Sequence, residues 1–251
     1  MANWSDPWAS AARSTPTGTR SASYDAGLRS YMLSVYNYMA SGVLLTGIVA
    51  LLFAYNTATD GTNNSYAAQV FLQGGALRWV IMFAPFALVM WLSFGIARLS
   101  EGAARALFWA YAVTMGLSLS TILLVYTGAS VAQTFFASAA AFGGLSLYGY
   151  TTKKDLSGFG SFLIMGVVGI IVASLINLFL HSTGLDLAIS LLGVLLFAGL
   201  TAYDTQRIKS MYFAARGTAW GGKSVIMGAL QLYLDFINMF MFLLRFMGDR
   251  R

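Results

Sequence analysis

Two aspartates stand where an aspartate is expensive. Asp204, in Leu200-Thr201-Ala202-Tyr203-Asp204-Thr205, and Asp235, in Leu232-Tyr233-Leu234-Asp235-Phe236-Ile237-Asn238, are each embedded in apolar sequence. An ionised carboxylate at the centre of a bilayer costs about 2.5–3.5 kcal/mol on insertion scales. Two such carboxyls within hydrogen-bonding reach cannot both ionise cheaply, so they share a proton. That pair is a proton switch. The shared proton bridges two helices, its loss leaves two repelling charges, and a second proton removes the charge-assisted bond. The same oxygens suit a hard cation in transit. Asp204 and Asp235, with Asn238 or Asn177, fall short of the roughly six to eight oxygens that Ca²⁺ prefers, which favours a leak with transient calcium contact over a tight metal site.

Each group also has a plainer reading. Asp235 would serve as a protonated acid hydrogen-bonded to a neighbouring helix. Asp204 would pair with Arg207, three residues on, at the membrane boundary. Arg98 is the candidate cation to latch the pair from another helix; its plainer role is to snorkel to lipid head groups.

The composition says what must hold these residues. The chain is 58% hydrophobic and 10% charged, has no cysteine, and has a mean hydropathy of +0.69. Globular domains carry about 25% charged residues, so a soluble fold is excluded, as are disulfide scaffolds and thiolate metal sites. The fold class is an all-α integral membrane protein.

Uncharged runs place the crossings. Residues 1–29 lack any apolar run and are expected to form a polar, disordered cytoplasmic tail rather than a signal peptide. Residues 30–251 form the membrane domain. Residues 31–55 give the first helix, and 79–97 the second, with Pro85 tolerated. The 47 uncharged residues 106–152 are too long for one span and fit two, turning near 127–130. Residues 156–180 give the fifth helix, 181–186 a turn, and 187–203 the start of the sixth. For Asp204 to reach the depth of Asp235, that helix must continue to about residue 213. Residues 224–244 supply the seventh. Asp235 lies eleven residues past Ser224, about 17 Å along a helix and so near mid-membrane.

Charge asymmetry orients the bundle. With the tail inside, eleven of the fifteen Lys and Arg fall on one side, which reads as topology and not as a nucleic-acid surface. Arg250 and Arg251 conflict with it: the last helix either crosses against the rule or is re-entrant. The expected location is the bacterial cytoplasmic (inner) membrane, with the N-terminus in the cytoplasm. His181, without a second ligand, reads as a surface residue. Trp79, Trp91 and Trp109 suit helix ends and packing, and Gly143-Gly144 close helix approach.

Three segments are familiar. Residues 229–240, Ala-Leu-Gln-Leu-Tyr-Leu-Asp-Phe-Ile-Asn-Met-Phe, resemble the C-terminal signature of the Bax inhibitor-1 family, in its bacterial-type form. Residues 202–208, Ala-Tyr-Asp-Thr-Gln-Arg-Ile, resemble its sixth-helix motif, and residues 148–157 its loop between helices four and five. The resemblance spans about 31–248. It implies six helices around a central C-terminal one, and a pH-sensitive calcium leak gated by an aspartate pair that falls on Asp204 and Asp235, with Arg98 as the latch. The chain departs from some bacterial members in lacking an acid in helix two, since residues 83–92 are uncharged.

No enzyme is expected. An intramembrane aspartyl protease wants Gly-x-Gly-Asp where this chain has Leu232-Tyr233-Leu234-Asp235; a retinal protein wants a lysine inside helix seven; and Gly144-Leu145-Ser146-Leu147 misses the rhomboid pattern. The rival reading is a non-transporting regulator of a membrane-bound quality-control protease or of cell-death and stress signalling; proton-coupled transport is a third. The expected partners are the lipid bilayer, calcium ions, protons and, for the regulator, that protease, with no nucleic acid. No cofactor is expected, calcium being the transported ion.

Overall fold

In lipid every backbone N–H and C=O must be satisfied within the chain, so the apolar runs can only be helices. The computed structural model, which describes residues 17–56, 64–218 and 220–251 and side chains from residue 26 onward, shows seven helices long and apolar enough to cross a membrane. The elements are α1 (Thr17–Phe53), α2 (Tyr66–Leu72), α3 (Ala76–Gly95), α4 (Glu101–Leu119), α5 (Ile122–Val125), α6 (Gly128–Thr151), α7 (Ser157–Leu180), α8 (Thr183–Ala215) and α9 (Gly221–Met247). The fourth and fifth combine into one span, Glu101–Val125. The all-α membrane architecture is therefore as expected.

Side-chain caps set several starts: Ser100 accepts from Ala103 N, Thr127 from Ser130 N, and Ser182 from Leu185 N. α7 ends on His181, an exposed residue in the left-handed region at φ 49°. Pro85 lies inside α3 without breaking it.

Two boundaries differ from the sequence reading, and a third is as it required. α1 already begins at Thr17, within the stretch read as tail; residues 1–16 and Asp60 lie outside the described residues. The turn after α7 is only 181–182, with Asp186 already in the first turn of α8. α8 runs unbroken through Asp204 to Ala215, carrying one buried stripe, Thr201, Thr205, Ile208, Tyr212 and Ala215, at helical spacing. The helix thus extends as the depth of Asp204 requires.

α9 lies deepest. Leu230, Leu232, Tyr233, Met239 and Leu244 are each at most 1% exposed. Its main neighbours are α8, α1, α6 and α4, whereas α3 packs on α4 and α7 on α8. These four helices supply most of the packing around the last one, while α3 and α7 lie further out, with large side chains, Phe83, Phe86, Phe162 and Phe179 among them, facing outward. Lipid tails are as apolar as these rings, so association relies on close packing. Gly149 of α6 abuts the backbone of Ala202, and Gly116 of α4 abuts Val49 of α1. Gly143 and Gly144 face open space, so the close approach expected there occurs one to two turns away.

The last helix is long and apolar enough to cross. Its 27 residues span about 40 Å at 1.5 Å per residue. At its start Lys223 Nζ donates to Ala97 O, beside Arg98. At its end Arg245 pairs with Asp186 at the start of α8. Beyond it, Thr127 N donates to Asp249 O at 3.0 Å and Arg251 N to Val125 O at 2.9 Å. The C-terminus is thereby pinned to the α5–α6 connection, opposite the face that carries Lys153, Lys154 and Arg207.

Candidate functional site

Residues 204 and 235 lie on the two most extensively packed helices, α8 and α9, and their side chains face each other across that contact. Asp235 is 4% exposed, and its Oδ2 is shut in without a hydrogen-bond partner. Asp204 is half-buried. Continuation of α8 past Tyr203 brings the two to one depth.

The pair borders a cavity of about 330 Å³. α7 supplies an apolar wall of Ile164, Val167 and Val168; α8 supplies Phe197, Leu200 and Asp204; α9 supplies Gln231, Leu234, Asp235 and Asn238. Among the described residues no group of three or more His, Cys, Asp or Glu gathers to hold a metal ion. The oxygens present are two carboxylates and two amides, a set suited to a passing hard cation and too sparse for a resident one. Asn238 is part of it. Asn177 is not: its Oδ1 accepts from Ser182 N at the α7–α8 turn.

Arg98 is not brought to the pair. It is exposed in the turn after α3, and the ion pairs among the described residues are Arg105–Glu101 and Arg245–Asp186. The reason is the packing order: α3 lies on α4, so its end is not delivered to α8. The cation acting on Asp204 is Arg207, three residues along the same helix.

The surroundings are held by side chains that the sequence reading passed over. Gln206 clamps the α6–α7 connection twice, its Nε2 donating to Lys154 O and its Oε1 accepting from Leu156 N, each at 2.8 Å. Lys209 Nζ donates to Tyr150 O at 3.1 Å. The start of the apolar wall on α7 is thus fixed to α8. A hydroxyl chain joins three helices: Tyr36 and Ser146 oxygens lie 2.6 Å apart, Ser146 and Thr205 3.0 Å apart, and Thr205 donates to Thr201 O at 2.7 Å. Gln231, four residues before Asp235, was legible from helical spacing alone.

A family model described as "Inhibitor of apoptosis-promoting Bax1" matches residues 28–251. The chain is 48% identical over 228 residues to "Inner membrane protein YbhL" of Escherichia coli strain K12, covering 90% of this chain and 94% of that one. It is 47% identical over 235 residues to "Uncharacterized protein RP147" of Rickettsia prowazekii, covering 94% and 96%. To "Uncharacterized membrane protein SpyM3_0260" of Streptococcus pyogenes serotype M3 it is 37% identical over 224 residues, covering 89% and 94%. Seven helices long and apolar enough to span a membrane, a family match over nearly the whole chain and close relatives along its length converge: this is a multi-pass membrane protein of the Bax inhibitor-1 family.

Proposed function

We propose that the chain is a pH-sensitive calcium leak, non-enzymatic, gated by protonation of Asp204 and Asp235. The observation that carries the reading is the meeting of the two carboxyls beside a cavity whose α7 wall is apolar, with Asp235 Oδ2 left without a donor. Buried acceptors without partners are costly, and a carboxyl pair lowers that cost by holding a proton or a cation between its oxygens. Protons and Ca²⁺ therefore compete for one place. With a proton shared, α8 and α9 are bridged and the route is closed. Without it, the charges repel, the contact loosens and a cation is attracted.

The proposed setting is a bacterial cytoplasmic membrane with the N-terminus inside. It is supported by the basic face of the bundle and by the name of the Escherichia coli relative. Passive Ca²⁺ entry into liposomes carrying the purified chain tests the function. Flux that depends on pH and is altered by Asp235→Asn supports it; absence of flux refutes it.

A further inference from the structure

On the cavity side of α9, Gln231 precedes Asp235 by four residues and Asn238 follows it by three, so the three side chains stack one turn apart on one stripe. Two oxygens in this ladder lack a donor: Asp235 Oδ2 and Gln231 Oε1 are both buried without a hydrogen-bond partner. Asn238, which also lines the cavity, commits its Nδ2 to Leu234 O at 2.8 Å. The α7 wall offers Ile164, Val167 and Val168, none with a side-chain donor. Two buried acceptors on cavity-lining residues lack the same thing, a hydrogen-bond donor or a cation. At about 30 Å³ per water, the roughly 330 Å³ of space admits an ion that keeps part of its hydration shell.

We infer that Gln231 is a specificity-determining residue of the cation route, its amide oxygen acting as a neutral ligand to a partly hydrated divalent ion held at the aspartate pair. The inference rests on the leak reading for the identity of the cargo. An amide suits a route better than a third carboxylate would. It supplies an oxygen in place of a lost water without adding charge, so the ion is recognised yet still leaves. Gln231 lies one turn from Asp235 toward the start of α9, so an ion moving along the stripe meets it immediately before or after the acids.

The test is Ca²⁺ entry into liposomes carrying the full chain, measured against Ca²⁺ concentration and against pH, for the parent, Gln231→Leu and Gln231→Glu. Loss of one ligand in Gln231→Leu is expected to raise the half-saturating Ca²⁺ about tenfold, tenfold being about 1.4 kcal/mol, and to leave the pH midpoint in place. Gln231→Glu, nearly isosteric, is expected to lower the half-saturating concentration and the maximal flux together; it carries the test alone if Gln231→Leu does not fold. A Gln231→Leu protein that matches the parent, or moves only the pH midpoint, overturns the inference. If the parent passes no Ca²⁺, the leak reading fails by itself, and equilibrium dialysis of the detergent-solubilised chain against radioactive calcium decides. Weaker binding by Gln231→Leu then supports the site, and a parent that binds none overturns it.

Discussion

The hydroxyl of Tyr233 lies 2.7 Å from Oγ1 of Thr46, which donates in turn to the carbonyl of Ala112 at 2.9 Å. Tyr233 stands two residues before Asp235, about 200° around α9, so this bond ties the last helix to α1 and α4 on the side away from the acids. α9 is anchored on one face and presents Asp235 to Asp204 of α8 on the other. An anchor of this kind lets the α8 contact loosen without loss of the bundle.

Breaking the anchor tests that division. Tyr233→Phe removes one buried bond, and Thr46→Val removes two while stranding the Tyr233 hydroxyl. With interhelical bonds worth about 0.6 kcal/mol on average in membranes and up to about 1.7, Thr46→Val is expected to lower the detergent-solubilised Tm more than Tyr233→Phe. Equal shifts would show that the bond does not hold α9.

Helix approach provides a second test. A Cβ on Gly149 would meet the backbone of Ala202, Cα at 3.0 Å, whereas one on Gly143 meets nothing within 4 Å. Backbone cannot rotate aside as a side chain can, so Gly149→Val is expected to destabilise the bundle by about 1–3 kcal/mol, the range for overpacking, with Gly143→Ala nearly neutral. Thermal unfolding of the two variants checks the order.

The fold was legible where lipid leaves the chain no choice. Uncharged runs marked seven crossings because a backbone in hydrocarbon must be helical. The continuation of α8 followed from asking how Asp204 could reach the depth of Asp235. What one chain does not carry is which helix lies beside which. Arg98 looked available because it ends an apolar run, but α3 sits on α4, and Arg207 holds the position beside Asp204. Gly143-Gly144 drew attention as a pair, although the buried stripe Thr134, Ser138, Phe142, Ser146 and Gly149 was present at helical spacing and points to Gly149. Gln231 was passed over because the search was for charge. An amide four residues from a buried acid shares its helix face, and that spacing was the signal.

The crossing of α9 is checked by labelling. The chain has no cysteine, so single substitutions report cleanly. Arg251→Cys and Ser182→Cys are expected to react with an impermeant maleimide from the same side of the membrane, and Lys154→Cys from the other. Reaction of Arg251→Cys from the Lys154 side would show a re-entrant helix. The Arg245–Asp186 pair that marks this end is partly exposed, at 36% and 29%, so Arg245→Ala should cost at most about 1 kcal/mol.

Asp155 serves as a control for pH. The hydroxyl and backbone N–H of Ser157, the latter 2.9 Å from Asp155 Oδ1, hold this exposed carboxyl below its ordinary range. A carboxyl lowered in the folded state contributes stability above its unfolded pKa and loses it as pH falls through the folded value, here below about pH 4. Asp155→Asn should therefore leave the flux response between about pH 5 and pH 8 unchanged. A shifted midpoint would place the sensor in the α6–α7 connection.

The central claim is that Asp204 and Asp235 together hold the proton that closes the route. Its most direct test is Ca²⁺ entry into liposomes from about pH 5 to pH 8 for the parent, Asp204→Asn and Asp235→Asn. Flux in the parent should rise with pH as the shared proton leaves, and each single substitution should flatten that rise, since one carboxyl cannot form the pair. Three coincident curves would contradict the account.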